Sequence, residues 1–200
     1  MSIWSPVMSR RSLFALLILS AGPAAASGTP PAIAAPCLAC HDTDGSGVGK
    51  AFVPIIAGIP AAHIEEALFA YMDGARTCVV QPAMCEVAAL LSEEDVAALA
   101  EWYGSLPRYS HGASFMEDLA AKGKAIHERL CARCHLEPDD PDAQYALGIP
   151  LHGQRSDYLR YALASYLNGN REHLLREMEE KIGQLRDGDI DALINYYVSY

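Results

Sequence analysis

Cys37-Leu-Ala-Cys40-His41 and Cys131-Ala-Arg-Cys134-His135 are two copies of one pattern, C-x-x-C-H, set 94 residues apart in a chain of 200. In a helical turn, positions i, i+3 and i+4 share a face. Two thiols can therefore reach the two vinyl groups of one porphyrin while the next histidine lies under the iron, which is why this is the attachment pattern of c-type haem. At the cysteine and histidine frequencies of this chain, one chance copy is expected in roughly 0.006 sequences. Thioredoxin-like redox chemistry uses C-x-x-C without the histidine and expects flanking strands, of which the sequence shows no sign. Zinc would accept these ligand types, but each cluster falls short of a fourth ligand. The motifs predict two covalently bound haem c, anchored by Cys37 and Cys40 and by Cys131 and Cys134, with His41 and His135 as proximal ligands.

The offset also selects the second ligand. Of six methionines, at positions 1, 8, 72, 84, 116 and 178, only Met84 and Met178 are separated by the same 94 residues. Each stands 47 residues after the first cysteine of its motif, in a stretch that reads as a loop before a helix. Leu91 and Leu185 follow seven residues later. Ser92 then stands three before Asp95 in a capping-box arrangement, and Asp187 is the matching cap in the second half. Val96, Leu99, Ala100 and Tyr103 recur at helical spacing, as do Ile190, Leu193, Ile194 and Tyr197, so both halves close on an amphipathic helix. Upstream, Pro54 and Pro150 open loops that lead to the helix candidates HIEEALFAYMDG and SDYLRYALASYLNG. A methionine is most often core filler, and Met72 on an apolar face reads that way. Repetition in register makes Met84 and Met178 axial ligands, apt for electron transfer opposite histidine. His63, His111, His127, His152 and His173 are the rivals, but no two of them obey the offset. His152 is expected at the surface or beside the site.

The remaining chemistry concerns export. Arg10 and Arg11 precede an apolar run from Leu13 to Leu19 and then AGPAAAS, the layout of a secretory signal with cleavage after Ala26. SRRSLF has a twin-arginine look, yet cofactors attached after export need an unfolded passenger, so the general secretory route is expected. The rest of the chain has no run apolar and long enough to span a membrane. An exported chain is expected to be periplasmic, and there the two remaining cysteines, Cys78 and Cys85, default to a disulfide. Without residues 1–26 the chain has 13 basic and 25 acidic side chains, a net charge of −12, which argues against nucleic acid as a partner. Residues 27–110 have 3 basic and 10 acidic side chains, whereas residues 111–200 have 10 and 15. A basic face on a partner is thus expected to dock on the first half.

The succession of C-x-x-C-H, proline-led loop, helix, methionine and final aromatic helix resembles the dihaem cytochrome c4 family over essentially all of the exported chain. The second half resembles more specifically the cytochrome subunit of flavocytochrome c sulfide dehydrogenase, through GKAIH before the motif, CHLE at it and HGQ-x3-YL-x-YA after it. The resemblance implies an all-α fold of two tandem class I cytochrome c domains, 27–106 and 107–200, after a signal peptide at 1–26. It implies irons held by His41 and Met84 and by His135 and Met178, with the carbonyls of Pro54 and Pro150 orienting the imidazoles. The short SGTPPAIAAP before Cys37 departs from it, since the usual N-terminal helix is missing there, whereas ASFMEDLAAKGKAIHERL keeps it in the second half. Cys78 and Cys85 are a second departure. The function implied is electron transfer without catalysis, as a diffusible carrier to a membrane electron-transport complex or oxidase, or as the subunit accepting electrons from a flavoprotein sulfide dehydrogenase. A dihaem peroxidase or haem-based ligand sensor, with one labile methionine, is the alternative.

Overall fold

The computed structural model describes Met1 and residues 28–200, so the expected signal peptide lies outside the described residues. Every regular element among them is a helix, apart from one isolated antiparallel bridge between Arg76 and Arg171. In chain order the α-helices are α1 (Ala35–His41), α2 (Ala61–Met72), α3 (Pro82–Ala88), α4 (Glu93–Ser105), α5 (Glu117–Leu130), α6 (Ser156–Leu167), α7 (Arg176–Ile182) and α8 (Asp189–Val198). None is long and apolar enough to cross a membrane.

Two apolar clusters form, one in each half of the sequence. The first gathers Ile55, Ile59, Ile64, Leu91, Val96, Leu99 and Tyr103 where α2 packs on α4. The periodic positions of α4 are its buried ones, and Ser92 forms the expected reciprocal cap with Asp95. The second cluster gathers Ile126, Leu130, Leu159, Leu193, Ile194, Tyr196 and Tyr197 where α8 packs on α5 and α6. Gly123 lets α5 and α8 cross closely, because a β-carbon there would collide with the Ala192 carbonyl. The cap expected of Asp187 does not form. Gly188, at φ 79°, precedes α8 instead, and Asp189 turns back to accept the Arg186 backbone N–H at 3.0 Å. Before Cys37 the described chain offers only the 3-10 turn Ala32–Ala34, whereas α5 supplies a full helix before Cys131.

The halves are tied by polar contacts to backbone. Buried Gln154 accepts from the Ile55 N–H at 2.8 Å and donates to the Ile55 carbonyl at 2.9 Å. Arg155 donates to the Gly47 carbonyl at 2.7 Å, and Asp157 accepts from the Phe52 N–H at 2.8 Å. The bonds of Gln154 and Arg155 satisfy backbone groups that burial would otherwise orphan.

Candidate haem sites

In the first half α1 carries the whole motif in a single turn, so Cys37, Cys40 and His41 emerge together. All three line one cavity with Met84, the apolar side chains Ile55, Ile59, Ile64, Leu68 and Leu99, and Tyr103. Its open mouth included, the cavity holds about 1250 Å³ free of protein atoms. Tyr103 is buried in its wall with its hydroxyl unpaired. A large, mostly apolar group fits these walls, and two thiols, an imidazole and a thioether converge on it. The second half also contributes to the lining, through Ile149, Gln154, Tyr158 and Tyr161.

His41 is ready to act as a metal ligand. Its Nδ1 lies 3.2 Å from the Pro54 carbonyl, so Nδ1 carries the proton and Nε2 keeps its lone pair. Burial pushes its pKa down to about 4, against a smaller upward pull from the Pro54 contact. His135 repeats the arrangement, with Nδ1 2.8 Å from a carbonyl and its pKa lowered by burial. That carbonyl belongs to Ile149 and not to the expected Pro150, because this loop turns toward the ring one residue earlier. Gly148 fits directly against the imidazole: a β-carbon there would lie 2.5 Å from His135 Nδ1. Cys37, Cys40, Cys131 and Cys134 are all free and half-buried, and burial raises the thiol pKa of Cys37 and of Cys131.

The methionines do not sit in loops. Met84 is the third residue of α3 and Met178 the third of α7, each helix seven residues long. Pro82 starts α3 at a position where its missing N–H costs nothing, a signal that could have been read. Cys78 and Cys85 form the expected disulfide, beside Met84.

The rival histidines are placed elsewhere or engaged. His63 lines the first cavity, but its Nε2 lies 3.2 Å from the Ala146 carbonyl. His173 stacks near Tyr166, and the His111 backbone pairs with Gly153. His152 is not at the surface: it is 1% exposed, packed edge-on against His127, Tyr196, Tyr197 and Tyr200. Burial pushes His127 and His152 down to about 4, so both stay neutral near pH 7.

No family model matches the chain. The thiosulfate dehydrogenase electron acceptor of Thiomonas intermedia (strain K12) is 31% identical over 165 residues, 76% of this chain and 71% of that protein. The cytochrome subunit of sulfide dehydrogenase from Chlorobaculum tepidum is 33% identical over 75 residues, 38% of this chain and 64% of that one. Among solved structures, a thiosulfate dehydrogenase from Marichromatium purpuratum aligns with a TM-score of 0.68 at 27% identity over 82% of this chain. This chain spans only 36% of that longer one. A cytochrome c4 from Acidithiobacillus ferrooxidans aligns with a TM-score of 0.66 at 22% identity, covering 82% of this chain and 99% of its own, a likeness of fold.

Proposed function

Since the chain belongs to the dihaem cytochrome c4 family, all-α electron-transfer proteins with two covalent haem c, we propose that it accepts electrons from a sulfur-compound dehydrogenase in the periplasm. Its domains would be 27–106 and 107–200, following a signal peptide at 1–26. Cys37 and Cys40 anchor the first porphyrin and Cys131 and Cys134 the second, while His41 with Met84 and His135 with Met178 hold the irons. When bound, each haem would supply a one-electron iron couple, its potential raised by a thioether ligand beside the imidazole.

The chain's own residues do the rest. The Pro54 and Ile149 carbonyls fix the imidazole tautomers. Mostly apolar walls surround the first site, and two protein ligands per iron would leave no position for substrate. That last point separates a carrier from a peroxidase or ligand sensor. The convergence of Cys37, Cys40, His41 and Met84 on one large cavity is the observation that carries the reading. A dehydrogenase as donor is supported by the relatives, one an electron acceptor of thiosulfate dehydrogenase and another a subunit of sulfide dehydrogenase.

The test is a haem count followed by rapid mixing. Two haems per chain are expected, both reduced when the protein is mixed with a thiosulfate dehydrogenase and thiosulfate, or with a flavoprotein sulfide dehydrogenase and sulfide. Reduction by a membrane quinol-oxidising complex and by neither dehydrogenase would instead make it a general diffusible carrier.

A further inference from the structure

We propose that Arg76 and Arg171 form a two-guanidinium clasp that binds haem propionate carboxylates where the two halves meet; this rests on the reading of the motifs as haem sites. The two residues face each other in the isolated antiparallel bridge. The flanking bonds run from Thr77 N–H to the Asn170 carbonyl at 3.0 Å and from Glu172 N–H to the Ala75 carbonyl at 2.8 Å. That makes the arginines a non-hydrogen-bonded pair, the closer kind, with side chains on one face.

Each arginine is held in the same way. Gly74 at φ 79° and Gly169 at φ 77° turn the chain out of α2 and α6. The N–H of Arg76 then bonds the Ala70 carbonyl at 2.8 Å, and that of Arg171 the Ser165 carbonyl at 3.0 Å, six residues back in both cases. Each guanidinium lies over the tyrosine five residues before it, at 5.6 Å from the Tyr71 ring and 5.2 Å from the Tyr166 ring.

Two like charges directly opposite one another are unfavourable, and burying a charge without a partner is more so. Arg171 is 6% exposed and Arg76 half-buried. Yet among the described residues neither joins a salt bridge, in a chain where acidic side chains outnumber basic ones 25 to 15. Tyrosine faces orient the guanidiniums, and the Tyr158 side chain takes a bond from Arg171, but no carboxylate among the described residues pairs with either fork, whose geometry suits one in a bidentate pair. Arg76 lines the cavity that His41 and Met84 share. Haem brings the missing anion, two carboxylates per porphyrin.

The experiment measures the midpoint potential of each haem by spectroelectrochemistry, at several pH values, in the holoprotein and in R76Q, R171Q, R76K and R171K. Losing a cation beside ferric iron favours the oxidised state, so the glutamine variants should show the reduction equilibrium of at least one haem lowered about tenfold, some 59 mV for one electron. Their potentials should also fall as pH rises, because an unpaired carboxylate takes up a proton near neutrality, and the lysine variants should restore most of the wild-type behaviour. Should R171Q fold poorly, R76Q at the more exposed position carries the test alone. Haems present with unchanged, pH-independent potentials in R76Q would overturn the inference by itself. A protein that takes up no haem would overturn the underlying reading as well.

Discussion

Met84 and Met178 occupy the same place in their helices, yet their surroundings differ. Next to Met84, Cys85 is bonded to Cys78. Beside Met178 stands the ion pair of Arg176 with Glu180, 84% and 58% exposed, of a kind that contributes little. On the histidine side the emphasis reverses. The second half presses Gly148 against His135 and buries His127 and His152 among tyrosines, whereas the first half has Tyr103 and aliphatic side chains there. The repeat thus sets where the proposed ligands stand, and local chemistry sets which side of each site is secured. It follows that the first site should resist loss of its methionine, and the second should be more sensitive on its proximal face.

The largest expected effect is from Gly148→Ala. A methyl group 2.5 Å from His135 Nδ1 must displace the ring or the loop, an overpacking cost of about 3 kcal/mol. The second site should lose its low-spin signature in the ferric absorption spectrum while the first keeps it. An unaltered second site would show that the close approach is not needed.

Acid should reveal the second asymmetry. His127 and His152 have pKa values near 4 in the folded chain and near 6.5 when unfolded. The unfolded chain therefore takes up protons first, and stability that is intact above about pH 6.5 is lost as pH falls toward 4. On the order of 3 kcal/mol per histidine is at stake across that window. Hydrogen exchange should show α5 and α8 opening before α2 and α4, and simultaneous opening would refute the assignment. Replacing both Cys78 and Cys85 by serine should cost about 2.5 kcal/mol for a loop of about 8 residues, and thermal melts should show it in the first half alone. The smallest effect concerns docking: the rate of electron uptake from a partner with a basic face should fall as ionic strength rises, and neutralising acidic side chains on the first half should flatten that dependence more than neutralising those on the second.

Much of this was legible from the duplicated motif. Residues tied to the offset, from His41 and His135 to Tyr103 and Tyr197, were readable because covalent attachment and helical periodicity both leave fixed spacings. Features made by contacts between the halves were not. Gln154 bonds the backbone of Ile55, 99 residues away, and no local pattern announces it. The switch from Pro150 to Ile149 as the imidazole's acceptor follows from a loop one residue out of step. His152 looked like a loop histidine because nothing nearby in sequence shows Tyr196, Tyr197 and Tyr200 closing over it. Arg76 and Arg171 did leave a trace, Tyr-x-x-Gly-x-Arg at 71–76 and 166–171. Its spacing is 95 residues and not 94, so a search at the motif's own offset passes it by.

The most direct test of paired histidine and methionine ligation is the weak far-red absorption of the ferric protein, measured in Met84→Ala and Met178→Ala beside the wild type. Each variant should lose about half of the band and the double variant all of it, with two haems still attached. A band that persists undiminished in either single variant would contradict the ligand set.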